Sequence, residues 1–170
     1  MRSAFDAKNT NTKLFAVLHV SENDLGQAKF FAEYIAKRGW HFEPWERRWT
    51  VYMQQAAFTT ALVTAYARPF TESRGWPKLP DRLLRAFSPE QRALHKRILT
   101  LRNEIYAHSD IGIRGIRAIR LGGYATAIEA LPPMRLLPEE VNLLRTMISV
   151  TLDAIRMRKN EVAASEACEA

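Results

Sequence analysis

Cysteine is almost missing from this chain. The single one, Cys168, stands two residues from the C-terminus, which excludes a disulfide framework and a cysteine-rich metal site. Glycine and proline are also sparse, at seven and eight in 170 residues, too few for a fibrous or disordered chain. No apolar run approaches the roughly 18 residues that a bilayer crossing needs, and the opening MRSAFDAKNTNTK has no apolar stretch of the kind a secretory signal carries. The expectation is a cytoplasmic protein without membrane contact. What is present, 47% hydrophobic and 25% charged residues, suits one globular domain with a sizeable core. That domain is expected over 1–162, with the Ala/Glu-rich residues 163–170 as a disordered tail.

Acidic residues are scarce in one place. The formal net charge is +7, and residues 92–120 alone hold seven basic and two acidic side chains. A local excess of this kind concentrates a polyanion near the surface, and phosphate contacts dominate nucleic-acid affinity. A solvated charged face accounts for the same cluster without any ligand.

Periodicity points to an all-α chain. Around Leu14 to Val20 a short ordered piece is expected, followed by Ser21-Glu22-Asn23-Asp24, whose side chains offer acceptors for free helix amides. A helix from about Asp24 to Arg38 then carries one apolar stripe through Leu25, Ala28, Phe31, Ala32 and Ile35, closed by Gly39. A second, from about Trp45 to Tyr66, is apolar on more than one side, as a central bundle helix would be. The Pro/Gly-broken stretch Arg68 to Pro80 is a loop of functional length. Ser88-Pro89-Glu90-Gln91 reads as a capping box opening a third helix, to about His108. Ile/Arg alternation and four glycines in Ile111 to Pro138 suggest loops with a short hairpin at Gly122-Gly123. Pro138-Glu139-Glu140 opens a last helix to about Lys159. The whole predicts an antiparallel four- to five-helix bundle with an irregular or hairpin insertion at 111–137.

One segment carries chemistry. Arg102-Asn103, four further residues, then His108-Ser109-Asp110, near the end of a bundle helix, resembles the HEPN superfamily signature of arginine, a polar residue and a histidine four to six positions on. The wording Leu-Arg-Asn then Ala-His-Ser-Asp is most similar to bacterial HEPN domains of abortive-infection and toxin systems. The resemblance implies a metal-independent endoribonuclease that pairs two copies of the motif across a homodimer two-fold. It needs no cofactor, acts on RNA, serves as a toxin or phage-defence effector, and is restrained by an antitoxin or other regulatory protein. The residue types fit that chemistry. Histidine titrates near neutrality and serves as base or acid, whereas arginine stays charged and presents a fork matching phosphate oxygens. Arg102 would bind the scissile phosphate, His108 would move the proton, and Asn103 would orient a water, the histidine or the arginine.

Helix geometry bears on the pairing. At ~100° per residue, His108 lies roughly 120° around the helix from Arg102. Either the helix loosens near its end or a second subunit supplies the missing group. A histidine edging an apolar stripe at a helix end is also a common structural residue, so a non-catalytic module that binds RNA, nucleotide or protein, or a purely structural dimerisation bundle, stands as the alternative.

Further contacts are expected from residues near the motif. His95 and Tyr106 share a side with Arg102, Tyr106 as a base-stacking ring or a packed one. Arg68, Glu72 and Arg74 lie in the irregular loop, as phosphate holders or as a salt bridge. Arg114, Arg117 and Arg120 recur every third residue among glycines and suit phosphate contact. His108 and Asp110 form an incomplete metal shell, so no metal is expected.

Overall fold

The computed structural model describes residues 10–72, 77–103, 115–130 and 135–168. The chain is mostly helical: α1 (Thr10–Arg38), α2 (Trp49–Ala67), a 3-10 turn at Arg68–Phe70, a second at Asp81–Leu84, α3 (Pro89–Leu101), a hairpin of β1 (Gly115–Leu121) and β2 (Tyr124–Ala130), and α4 (Pro138–Cys168).

The longest departure from expectation is α1, which is one helix of 29 residues rather than a short piece followed by a helix at Asp24. Its polar run Ser21-Glu22-Asn23-Asp24 does not cap anything. Ser21 is buried. Glu22 accepts from Lys159 Nζ at 2.7 Å and Arg156 Nε at 3.0 Å, both on α4. Asp24 meets Arg68 at 3.4 Å beyond the end of α2. These side chains serve contacts between helices, and the backbone beneath them stays helical. The Arg156 and Lys159 hydrogen bonds, Lys159 foremost, hold the Glu22 carboxyl below its ordinary pKa.

Helix α1 is the axle of the fold. It runs antiparallel to α2, as the Phe31–Phe58 ring pair at 5.7 Å and the Asp24–Arg68 pair require, and it packs along α4. Leu25, Ala28, Ala32 and Ile35 are fully buried in a core shared with Leu62, Val63 and Tyr66 of α2, Ile98 of α3, and Leu144, Met147, Ile148 and Ile155 of α4. Removing that much apolar surface from water is the main stabilising term for such a bundle.

Helix α2 begins four residues after the expected Trp45. The chain from Trp40 to Arg48 is instead a turn-rich connection, fastened by Gln55. Its buried side-chain amide donates to the Phe42 carbonyl and its carbonyl accepts from the Phe42 amide, both at 2.8 Å. The box at α3 is as read: Ser88 Oγ accepts from the Gln91 amide at 3.2 Å, and Gln91 Oε1 accepts from the Ser88 amide at 2.9 Å. Arg102-Asn103 continue the helix in a wider, π-type turn; the expected remainder of this helix, 104–108, lies outside the described residues.

The hairpin at Gly122-Gly123 is also as expected. Leu121 faces Tyr124 across a two-residue turn, and both glycines take positive φ, at 55° and 91°, a backbone region costly to residues with a Cβ. Helix α4 overruns the expected end at Lys159. Val162 is buried, and the helix holds to Cys168, so 163–168 is helical where a disordered tail was expected. The good helix formers of this Ala/Glu-rich stretch account for the extension.

Candidate phosphate-binding cleft

The helical turn after Leu101 carries Arg102 to the rim of a cleft of about 220 Å³, where it meets residues from two other elements. Val20, Ser21 and Asp24 come from the middle of α1, while Arg68, Pro69, Thr71 and Glu72 come from the 3-10 turn and its continuation, with Pro77 at the edge. Local chemistry sets each wall. Pro69 holds the turn that ends α2, and its carbonyl accepts the amide of the buried Leu79 at 2.6 Å. Thr71 Oγ1 donates to the Ala67 carbonyl at 2.8 Å. The loop is thereby tied down on both sides of Arg68.

Two guanidinium groups, far apart in sequence, share this cleft. Arg68 is half exposed and its Nη1 stands 3.4 Å from Asp24 Oδ1. Arg102 donates from Nη1 to Asn103 Oδ1 at 2.9 Å. Of the three partners expected for Asn103, the arginine is the one it meets among the described residues. With Asp24 and Glu72 on the same lining, the described residues of the cleft set two cations beside two carboxylates. An incoming phosphate would compete with Asp24 for Arg68, while among the described residues Arg102 meets the neutral Asn103 amide.

His95 belongs elsewhere. Its Nδ1 lies 2.9 Å from the hydroxyl of Tyr66, and its ring packs edge-on against Phe70 at 4.7 Å and close to Phe87. Burial lowers its pKa from the usual 6.5, opposed by the charge of Asp81, and burial pushes the Tyr66 phenol up. This is a packed aromatic cluster that anchors α3 to α2, and His95, expected as a substrate contact, is not on the described lining of the cleft.

Of the other expected site residues, Arg74, Tyr106, His108, Asp110 and Arg114 lie outside the described residues. Arg117 is in β1, paired with Ile128, and Arg120 on the same strand is exposed. Among the described residues no group of three or more His, Cys, Asp or Glu is placed to hold a metal ion, and no helix is long and apolar enough to cross a membrane.

Sequence reading missed Ser21 and Asp24 as cleft residues. Their signal was present but ambiguous, since a Ser/Asp run looks the same whether it caps a helix or faces another one. Comparison of the chain with protein-family models, with curated proteins and with solved structures gives no match.

Proposed function

We propose that this chain is a HEPN-like, metal-independent endoribonuclease of the cytoplasm, active as a homodimer and serving as a toxin or defence effector. The observation that supports it is the meeting of Arg102, first residue of the Arg-Asn-x4-His pattern, with Arg68 at one open cleft. Two planar cationic forks from different elements suit the non-bridging oxygens of one phosphate.

In the proposed reaction a histidine takes the proton of the ribose 2′-hydroxyl, and the 2′-oxygen attacks the adjacent phosphorus. The bond to the 5′-oxygen breaks, and that oxygen takes a proton from a second imidazole, leaving a 2′,3′-cyclic phosphate. Arg102 stabilises the charge that builds on the equatorial oxygens. Asn103 fixes the arginine, and His108 supplies the imidazole, the second one coming from the other subunit.

The test is incubation of the pure protein with mixed RNA in the presence of a chelator. New cyclic-phosphate ends are expected from the native chain and are lost, by about 100-fold or more, in His108→Ala, with Arg102→Ala comparably impaired and both variants folded. Full cleavage by His108→Ala overturns the assignment. RNA retarded but uncut by the native chain transfers the site to the binding-module reading, which the Asp24–Arg68 pairing favours because it holds one fork in place without substrate.

A further inference from the structure

Helix α2 has no charged side chain in nineteen residues, Trp49 to Ala67, in a chain that is one-quarter charged. A helix uncharged on every side suits an interior, yet among the described residues one side of α2 stays open, with the polar Thr50 and Gln54 exposed at its margin. That side shows Trp49, 60% exposed, Met53, 46% exposed, and Ala57, followed by the half-buried Thr60, Ala61 and Thr64. Thr60 spends its hydroxyl on the Ala56 carbonyl at 2.8 Å, so its donor is used within the helix. Beside this face runs a groove of about 470 Å³, walled by Gln27 and Phe31 of α1 and by Ala57, Ala61 and Thr64 of α2, ending at Arg68. Phe30, 57% exposed, stands next to Phe31 with ring centres 5.5 Å apart.

We infer that this face is the contact for a second copy of the same chain, with the two α2 helices antiparallel about an axis near Thr60. Shape favours a self-contact: large side chains occupy one end of the stripe and small ones the other. Reversal therefore sets the partner's Met53 over the last turn of α2 at Ala67 and its Trp49 over the chain just beyond Arg68, where the groove ends, while the axis passes through Ala and Thr, where backbones approach closely. Charge favours it too. The exposed Arg48 lies just before the helix and the exposed Glu72 beyond its far end, and an axis at Thr60 brings Arg48 of each chain to Glu72 of the other. A basic or acidic foreign partner would find no charge along the stripe itself. Size is adequate as well. At ~1.5 Å rise per residue and ~10 Å width per helix, the α1–α2 face covers roughly 600 Å² per subunit, more than the ~400 Å² a side of weak lattice contacts and approaching the ~800 Å² of a stable interface. Exposed Trp, Phe and Met are the residue types that such interfaces enrich.

This contact goes beyond the ribonuclease reading and is separable from it. An axis at Thr60 leaves the two Arg68 side chains about 25 Å apart, so it does not by itself join two motifs on one phosphate. Mass reports on the one and cyclic-phosphate ends on the other. The test is sedimentation or light scattering of the full chain, with Met53→Lys and Ala57→Arg, both at exposed positions that a monomer can solvate. The native assembly is expected to be an even multiple of the 19.5 kDa chain, and each variant is expected to halve its mass while keeping its helical signal and thermal midpoint. Arg48→Glu is expected to weaken association at least tenfold and Arg48→Glu/Glu72→Arg to restore it. A monomeric native chain, or variants with unchanged mass, overturns the inference.

Discussion

His95 shows how a residue with the right chemistry for a site ends up in a structural role. It follows the spacing that puts it on the Arg102 side of α3, two turns earlier, and a histidine near a basic segment invites a proton-transfer role. The structure surrounds it with Tyr66, Phe70 and Phe87, and that environment carries a pH signature. Burial, partly offset by Asp81, lowers its folded pKa below 6.5. The folded state therefore resists protonation that the unfolded chain accepts. The contribution to stability is intact above pH 6.5 and is lost as pH falls from there toward the folded value. The thermal midpoint of the native chain is expected to drop between about pH 7 and pH 5, while His95→Gln, which keeps a polar partner for the Tyr66 hydroxyl, drops measurably less over the same interval. Parallel melting curves for the two proteins would refute this placement. The Glu22 carboxyl, whose folded pKa is depressed, adds a separate loss that begins only below about pH 4.5.

At the scale of elements, local signals were legible in the sequence and shared ones were not. The capping box of α3 and the Gly-Gly hairpin turn are written in four and two consecutive residues, and both appear as read. The start of α1 was obscured because Ser21, Glu22 and Asp24 have the same identities whether they cap a helix or meet α4 and Arg68. Only the partner decides, and the partners are 44 to 137 positions away. The same reason hid half of the candidate cleft: Arg102 was visible as part of a motif, whereas its meeting with Arg68 depends on how α1 threads between α2 and α4. Because the cleft is assembled by the end of α3, the box that starts this helix matters to it only through stability. Ser88→Ala is expected to cost about 1 kcal/mol in urea denaturation with an unchanged slope, and to leave RNA cleavage per folded molecule intact. A loss below about 0.3 kcal/mol would mean that the exposed first turn of α3 holds without its cap.

For the whole molecule, charge is divided by segment. The excess of cations falls in residues 92–120, which include Arg102 at the cleft and the exposed Arg120 on the hairpin, while α2 carries none. The proposed phosphate contact at the cleft and the proposed self-contact along α2 should therefore respond differently to salt. Single-stranded RNA binding releases counterions, with log K falling by ~0.7 per decade of salt for each phosphate neutralised. Contacts by Arg68 and Arg102 give a slope of roughly −1.4, and Arg102→Ala should flatten it by about 0.7. Dimerisation through the α2 stripe loses part of its Arg48–Glu72 attraction to screening, while its apolar part is strengthened by ions that favour burial, so its net dependence on salt is shallow. Binding measured across a salt series, with mass recorded in the same buffers, separates these terms. RNA affinity that ignores salt would remove the phosphate-binding cleft from consideration, whatever the oligomeric state proves to be.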